Sequence, residues 1–287
     1  MKNRNKQKMS IMQLILVTLF RVIDRLSNKA AGYFLYTIWL IPGVKKKKHD
    51  RILPETSEQF WLKINGKRIA YWVNGSGPTI LFVHGWGSYG ALFSKMITEF
   101  SSDGYRVIWF DAPAHGQSSG WQTNIFEIQQ CISSLQEIYG HFEMVVGHSF
   151  GALSLMRAIS EGLSVSKLVT LSSPSNTIEL VDKFCFFFNP SKQSKEVLIK
   201  YIEKKYGDDL WDKTLVKNMA KNIEQPVLII HDKNDQMISY QQGISNKKYL
   251  KRSELILTEN LGHNRIVYNV EVTKKVLDFA KNVESKK

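Results

Sequence analysis

Glu143-Met-Val-Val146 has the apolar character of a buried β-strand, and it runs without a break into Gly147-His-Ser-Phe-Gly151 and a helical Ala152–Glu161. A strand that turns this sharply into a helix forces a strained backbone at its apex, Ser149. The flanking glycines let neighbouring elements approach closely, with no Cβ in the way. The Ser149 hydroxyl then stands clear of the turn, and the Phe150 N–H points into the same space from the start of the helix. Gly-x-Ser-x-Gly alone is a modest signal; its placement between strand and helix makes it specific.

Outward from this turn, short β-type runs alternate with helical stretches. Upstream, Thr79-Ile-Leu-Phe-Val-His84 is an apolar run of the kind buried on both faces of a sheet; Ala91–Phe100, Arg106–Phe110 and Asn124–Tyr139 follow as helix, strand and helix. Downstream, Lys167–Leu171, Pro226–Ile230 and Glu254–Leu257 are strands, with helices near Tyr240–Leu250 and Glu271–Val283. Phe60–Ile64 and Arg68–Val73 flank Asn65-Gly66, a hairpin signal because both turn positions tolerate positive φ. This order predicts an α/β chain with a mostly parallel, doubly wound sheet and helices on both faces. The alternation stops between Asn176 and Gln225, a stretch that is mostly helical in pattern. The predicted organisation is an N-terminal helical extension over 1–52, a core in two parts, 53–175 and 225–287, and a helical cap over 176–224.

In such sheets chemistry gathers at the carboxyl ends of the strands. A serine hydroxyl is a weak nucleophile that needs a base, itself oriented by an acid. Leu261-Gly-His-Asn264 follows the Glu254–Leu257 strand and puts His263 in a loop at the same sheet edge as Ser149. Asp235 lies in His231-Asp-Lys-Asn-Asp235, just past Pro226–Ile230, with Asp232 as its local rival. The chain order Ser149, Asp235, His263 is that of a nucleophile–acid–base triad on this sheet. Acyl transfer also needs donors for an oxyanion. The Trp86 N–H, in the glycine-freed loop His84-Gly-Trp-Gly87, is the candidate first donor and the Phe150 N–H the second. His84, Gly85 and His148 are the substrate-binding candidates around them. For His84, His115 and His148, structural hydrogen bonding competes with any ligand role, and no short ligand spacing suggests a metal.

His84-Gly-Trp-Gly87, Asp111-Ala-Pro-Ala-His-Gly-Gln-Ser118, Gly147-His-Ser-Phe-Gly151, Asp235 and Gly262-His263 together resemble the α/β-hydrolase superfamily, in its serine esterase and lipase-like branch. The resemblance covers residues 58–287 and implies the cap between the sixth and seventh core strands. Ser149, where the dehalogenase and epoxide-hydrolase branches have Asp, argues against those branches. Ala114 departs from the glycine that many relatives carry in the Asp-x-Pro-Gly-His-Gly-x-Ser loop. The implied activity is hydrolysis of carboxylic esters or thioesters through an acyl-enzyme, with no cofactor and no metal. The aromatic run Phe184-Cys-Phe-Phe-Phe188 in the cap, as a lining or core cluster, favours an apolar acyl group. Acyl transfer to another acceptor and carbon–carbon bond hydrolysis use the same triad; a non-catalytic acyl-ligand binding protein of this fold is the remaining alternative.

Composition bounds the rest. The chain has 287 residues, 43% hydrophobic and 23% charged, which is globular rather than disordered. Two cysteines, Cys131 and Cys185, exclude a disulfide framework and make a reducing, cytoplasmic setting the default. Of the net charge of +13, residues 1–51 supply +10, from 12 Lys and Arg against Asp24 and Asp50. Basic residues gathered in one extension, rather than spread over a folded face, argue against a nucleic-acid partner. Within the extension, Met9–Phe20 and Ala30–Val44 are apolar but short of the ~18–20 residues that span a bilayer. Met12, Ile15, Leu16, Leu19, Val22, Ile23 and Leu26 recur at helical spacing, with Gln13, Arg21, Asp24, Arg25 and Asn28 mainly opposite. Packing of this face on the body, contact of residues 1–52 with an anionic membrane surface, and a signal or anchor segment all fit the pattern.

Overall fold

The computed structural model describes residues 11–43 and 53–282, and the side chains from Leu14 onward. Eight strands form one sheet: β1 (Glu58–Ile64), β2 (Lys67–Asn74), β3 (Thr79–Val83), β4 (Arg106–Phe110), β5 (Phe142–His148), β6 (Val165–Leu171), β7 (Val227–Asp232) and β8 (Ser253–Thr258). The helices are α1 (Ile11–Leu26), α2 (Asn28–Trp39), α3 (Ser94–Ser102), α4 (Ile125–Tyr139), α5 (Phe150–Ser160), α6 (Ile178–Phe188), α7 (Lys192–Tyr206), α8 (Leu210–Lys213), α9 (Val216–Met219), α10 (Tyr240–Tyr249), α11 (Gly262–Arg265) and α12 (Val270–Lys281). Contacts divide them into two compact units, one of the N-terminal helices with Ile178–Trp211 and one of Ile41–Thr177 with Asp212 onward.

The larger unit holds the sheet, in the order β1-β2-β4-β3-β5-β6-β7-β8. β1 and β2 form the antiparallel hairpin through Asn65 and Gly66, both at positive φ (49° and 77°), as a tight turn with right-handed strand twist requires. β2 also pairs antiparallel with β4, and the remaining pairs are parallel. β3 is buried at every position, which accounts for its unbroken apolar sequence. One face of the sheet carries Ile80, Phe82, Trp109, Val146 and Ile230 against Phe93, Phe100 and Val276. Each such side chain withdrawn from water contributes about 1.5–3 kcal/mol. From β3 the chain steps to β4 on one side and then to β5 on the other. The sheet order therefore reverses at the carboxyl ends of β3 and β5, where Val83 pairs with Gly147.

Of the boundaries that differ from the sequence pattern, two lie next to the site. The predicted strand Thr79–His84 ends at Val83, and both ring nitrogens of His84 bond loop backbone. The predicted helix Ala91–Phe100 begins as a 3-10 turn, Gly90–Phe93, where the Gly90 N–H is held by Asp111 Oδ1 at 2.7 Å.

The smaller unit joins the N-terminal helices to α6 and α7. Ser27 breaks α1 from α2 and caps α2 by accepting the Ala30 N–H. Gly32 lets α2 close on α7, since a Cβ there would lie 2.4 Å from Val197 Cγ1. Phe20 packs on Phe34 and Phe188, with ring centroids 5.9 and 5.4 Å away, and Phe184 meets Trp39 at 5.3 Å. Asp24 accepts from the Ser191 N–H and hydroxyl at 2.9 and 3.1 Å, tying α1 to the residue that caps α7. The aromatic run of α6 is thus divided: Cys185 and Phe188 are buried, while Phe186 and Phe187 are exposed. α1 buries Val17 and Phe20, whereas Ile15, Leu19, Val22 and Leu26 of the apolar face read from the sequence are exposed. α1 is apolar on more than one side, and the side bearing Phe20 wins by meeting two other phenylalanines. Among the described residues no helix is long and apolar enough to cross a membrane. The basic residues before Ile11 and the Lys45–Lys48 block lie outside the described residues.

Candidate active site

Ser149 sits between β5 and α5 at φ 54° and ψ −122°, left-handed backbone that costs a non-glycine residue of the order of 1–3 kcal/mol. The strain is over-determined by its surroundings. Its N–H donates to Leu171 O at 2.9 Å, fixing the turn to β6. A Cβ on Gly147 would lie 2.4 Å from the Ala152 Cα, and one on Gly151 would lie 2.3 Å from Val83 O. Both glycines of the motif are therefore demanded by how closely α5 crosses the ends of β3 and β5. Ser149 itself stays partly exposed. Phe150 is the first residue of α5, so its N–H has no acceptor within the helix.

The loop after β3 reaches the same place. A Cβ on Gly85 would lie 2.9 Å from Ser149 Cβ, so only glycine lets this loop pass the serine. Trp86 packs its ring edge-on against Phe150 and His115, at 5.4 and 5.7 Å. Two histidines hold the loop in shape. His84 Nδ1–H donates to Gly85 O at 2.8 Å while its Nε2 accepts from the Ala112 N–H at 2.9 Å. His115 Nδ1–H donates to Pro113 O at 2.9 Å while its Nε2 accepts from the Gly87 N–H at 3.1 Å. Each ring must therefore be neutral and in one tautomer. Burial enforces this, pushing His84 well below its usual value and His115 down to about 4.

His263 follows β8 at the start of α11. Its Nδ1 lies 2.8 Å from Asp235 Oδ2, and its side chain is 7% exposed. Asp235 Oδ1 accepts the Met237 and Ile238 N–H groups, each at 2.8 Å. Buried His231 puts Nε2 2.9 Å from Ile238 O, to which it donates, and 3.5 Å from Asp235 Oδ2. Burial would raise the Asp235 pKa; hydrogen bonds from His231 and His263 more than reverse this and hold the carboxyl well below the usual carboxylate range. The rival, Asp232, is occupied elsewhere: it accepts from Asn234, Leu261 and Gly262 N–H and from the Thr258 hydroxyl, at 2.8–3.1 Å. It shapes the loop that carries His263, and Asp235 orients the ring.

His148 ties this loop to the serine turn. Its Nε2–H donates to His263 O at 2.9 Å, and the two rings are 4.7 Å apart. Burial pushes His148 down to about 3, which keeps it the neutral donor. Asp235 and His263 are thus in contact, His148 ties their loop to the turn of Ser149, and Trp86 rests on Phe150 at the reversal point of the sheet. His84, a substrate-binding candidate by position, is 1% exposed with both ring nitrogens spent on backbone, so its side chain supports the loop. His148 is likewise buried beneath the site, and Gly85 offers backbone alone. Sequence reasoning passed over His231; a histidine inside the buried run of β7 was the available signal. Among the described residues no cluster of three or more His, Cys, Asp or Glu is arranged to hold a metal ion.

Comparison with known proteins agrees with this fold. A family model for the alpha/beta hydrolase fold matches residues 78–197. The AB hydrolase superfamily protein YisY of Bacillus subtilis is 24% identical over 66% of this chain and 86% of its own length. The pimeloyl-[acyl-carrier protein] methyl ester esterase of Vibrio atlanticus is 32% identical, over 36% of this chain and 40% of that one. The crystal structure of a bromoperoxidase from Bacillus anthracis superposes with a TM-score of 0.62 at 18% identity, covering 78% of this chain and all of the other. With the matched window running from β3 into α7 and the eight-stranded sheet around it, the chain has the α/β-hydrolase fold.

Proposed function

We propose that the chain is a serine hydrolase that cleaves carboxylic esters or thioesters through an acyl-enzyme intermediate. The observation that carries this is the 2.8 Å contact between His263 Nδ1 and Asp235 Oδ2, in a loop that His148 ties to the turn of Ser149 at φ 54°. In the proposed sequence His263 Nε2 takes the Ser149 proton as the oxygen attacks the substrate carbonyl, and Asp235 stabilises the imidazolium. The Trp86 and Phe150 N–H groups receive the oxyanion of the tetrahedral intermediate. His263 then protonates the leaving alcohol or thiol and, in the second half, activates water against the acyl-serine. Ester substrates are supported by the esterase named among the relatives. Phe184 and Phe188, the sequence argument for an apolar acyl group, pack on the N-terminal helices. Acyl length is therefore assigned by experiment.

A fluorophosphonate probe should label the wild-type chain and leave Ser149→Ala unlabelled; equal labelling of the two removes the nucleophile. A panel of acyl esters of graded length, beside a thioester, then reads the substrate class. Transfer of the acyl group to an added alcohol in preference to water would identify an acyltransferase. Absence of turnover with tight binding of an acyl ligand would identify a binding protein.

A further inference from the structure

We infer that the outer face of α1 docks on an anionic lipid surface, with the helix lying along the surface. Ile15, Leu19, Val22 and Leu26 fall at steps of four, three and four, one line along the helix, and are 60%, 49%, 52% and 80% exposed. Val17 and Phe20 take the opposite side and bury it within the same unit. The apolar line is therefore surplus to folding. In α6, packed on α1, Phe186 adds a side chain 87% exposed.

Charge identifies the occupant. Arg21 and Arg25, one turn apart, flank the apolar line; they and Lys29 are exposed, and none is paired with a described residue. The single acid of α1, Asp24, is spent on Ser191. Lys2, Arg4, Lys6 and Lys8 precede the helix in sequence. An apolar stripe edged by unpaired cations and lacking a free carboxylate is complementary to an acyl layer under anionic headgroups. A second copy is the poorer fit, since a two-fold contact through this face sets arginines near arginines. The 16 residues of α1 extend about 24 Å, short of the ~30 Å hydrocarbon core, which favours lying over crossing.

The test is flotation of the full chain with vesicles of phosphatidylcholine alone or with a third of the lipid as phosphatidylglycerol. The wild type should bind the anionic vesicles at low salt, and at least about tenfold more weakly at high salt or without phosphatidylglycerol. Leu19→Glu/Val22→Glu should weaken binding at least about tenfold, and Arg21→Gln/Arg25→Gln should erase the preference for anionic lipid. Circular dichroism and turnover of a soluble ester report folding of both variants independently of binding. The inference falls if the wild type stays unbound at low salt, or if the Glu variant floats as well as the wild type. Conversion of a dimer to a monomer by the Glu variant, with vesicle binding unchanged, identifies a second copy instead. Resistance of the bound wild type to carbonate extraction identifies a crossing segment and also overturns it. The readout is binding, so its failure is separate from any failure of the Ser149 assignment.

Discussion

Asp235→Asn exchanges one oxygen of the site for an NH2 group and removes a proton acceptor from a defined joint. Asp235 Oδ1 faces two backbone donors, the Met237 and Ile238 N–H groups, each at 2.8 Å. The Asn side chain must keep its oxygen there, because an NH2 group against two N–H groups leaves three donors without an acceptor. Its NH2 group then faces His263 Nδ1, now held 2.8 Å from Oδ2. To meet that donor the imidazole must present a lone pair at Nδ1 and carry its proton on Nε2. In that tautomer it cannot accept the Ser149 proton. An error of this kind costs a serine triad about 10⁴-fold in kcat, or about 5.5 kcal/mol of transition-state stabilisation. Asp232→Asn is the matched control. Its carboxylate meets four donors around the loop and none on the imidazole. It should lower stability by about 1–3 kcal/mol and leave kcat within about tenfold. Turnover of a soluble ester, with denaturation curves for both variants, decides the matter. The reasoning is refuted if Asp235→Asn keeps kcat within about tenfold, or if the two variants lose equal activity while folded.

Other outcomes follow from the same geometry. Ala114 stands at φ 64°, where relatives often carry glycine; Ala114→Gly should raise stability by up to about 1 kcal/mol, measured by urea denaturation. A Cβ on Gly151 would lie 2.3 Å from Val83 O and 2.5 Å from His84 O, so Gly151→Ala should cost soluble yield and fluorophosphonate labelling together. His84, His115 and His148 are neutral in the fold, with pKa values lowered by burial, to about 4 for His115 and about 3 for His148. The unfolded chain binds their protons first, so stability is full above the unfolded value of about 6.5 and falls as pH drops below it. Between about pH 7 and about pH 5 His115 and His148 should each cost about 2 kcal/mol, and a flat stability profile over that window would contradict the assignment. The depressed Asp235 carboxyl acts in a lower window, contributing above about pH 4 and losing its contribution as pH falls further.

Sequence by itself determined the alternation of strands and helices, because each buried strand is an apolar run and each turn carries its own chemistry. Asn65-Gly66 and Gly147-His-Ser-Phe-Gly151 were legible for that reason. These are local properties, held within a few residues of chain. Only tertiary structure decided which of Asp232 and Asp235 faces the imidazole, since two carboxylates three residues apart differ only in the donors that other loops bring to them. It also gave His231 and His148 their places, as buried donors to Ile238 O and His263 O: an apolar run marks each histidine as buried, and only folding selects the carbonyl it meets. The same holds for α1. Its periodicity marks one apolar face, but the face that is buried depends on whether Phe20 finds Phe34 and Phe188, and burial is a property of pairs.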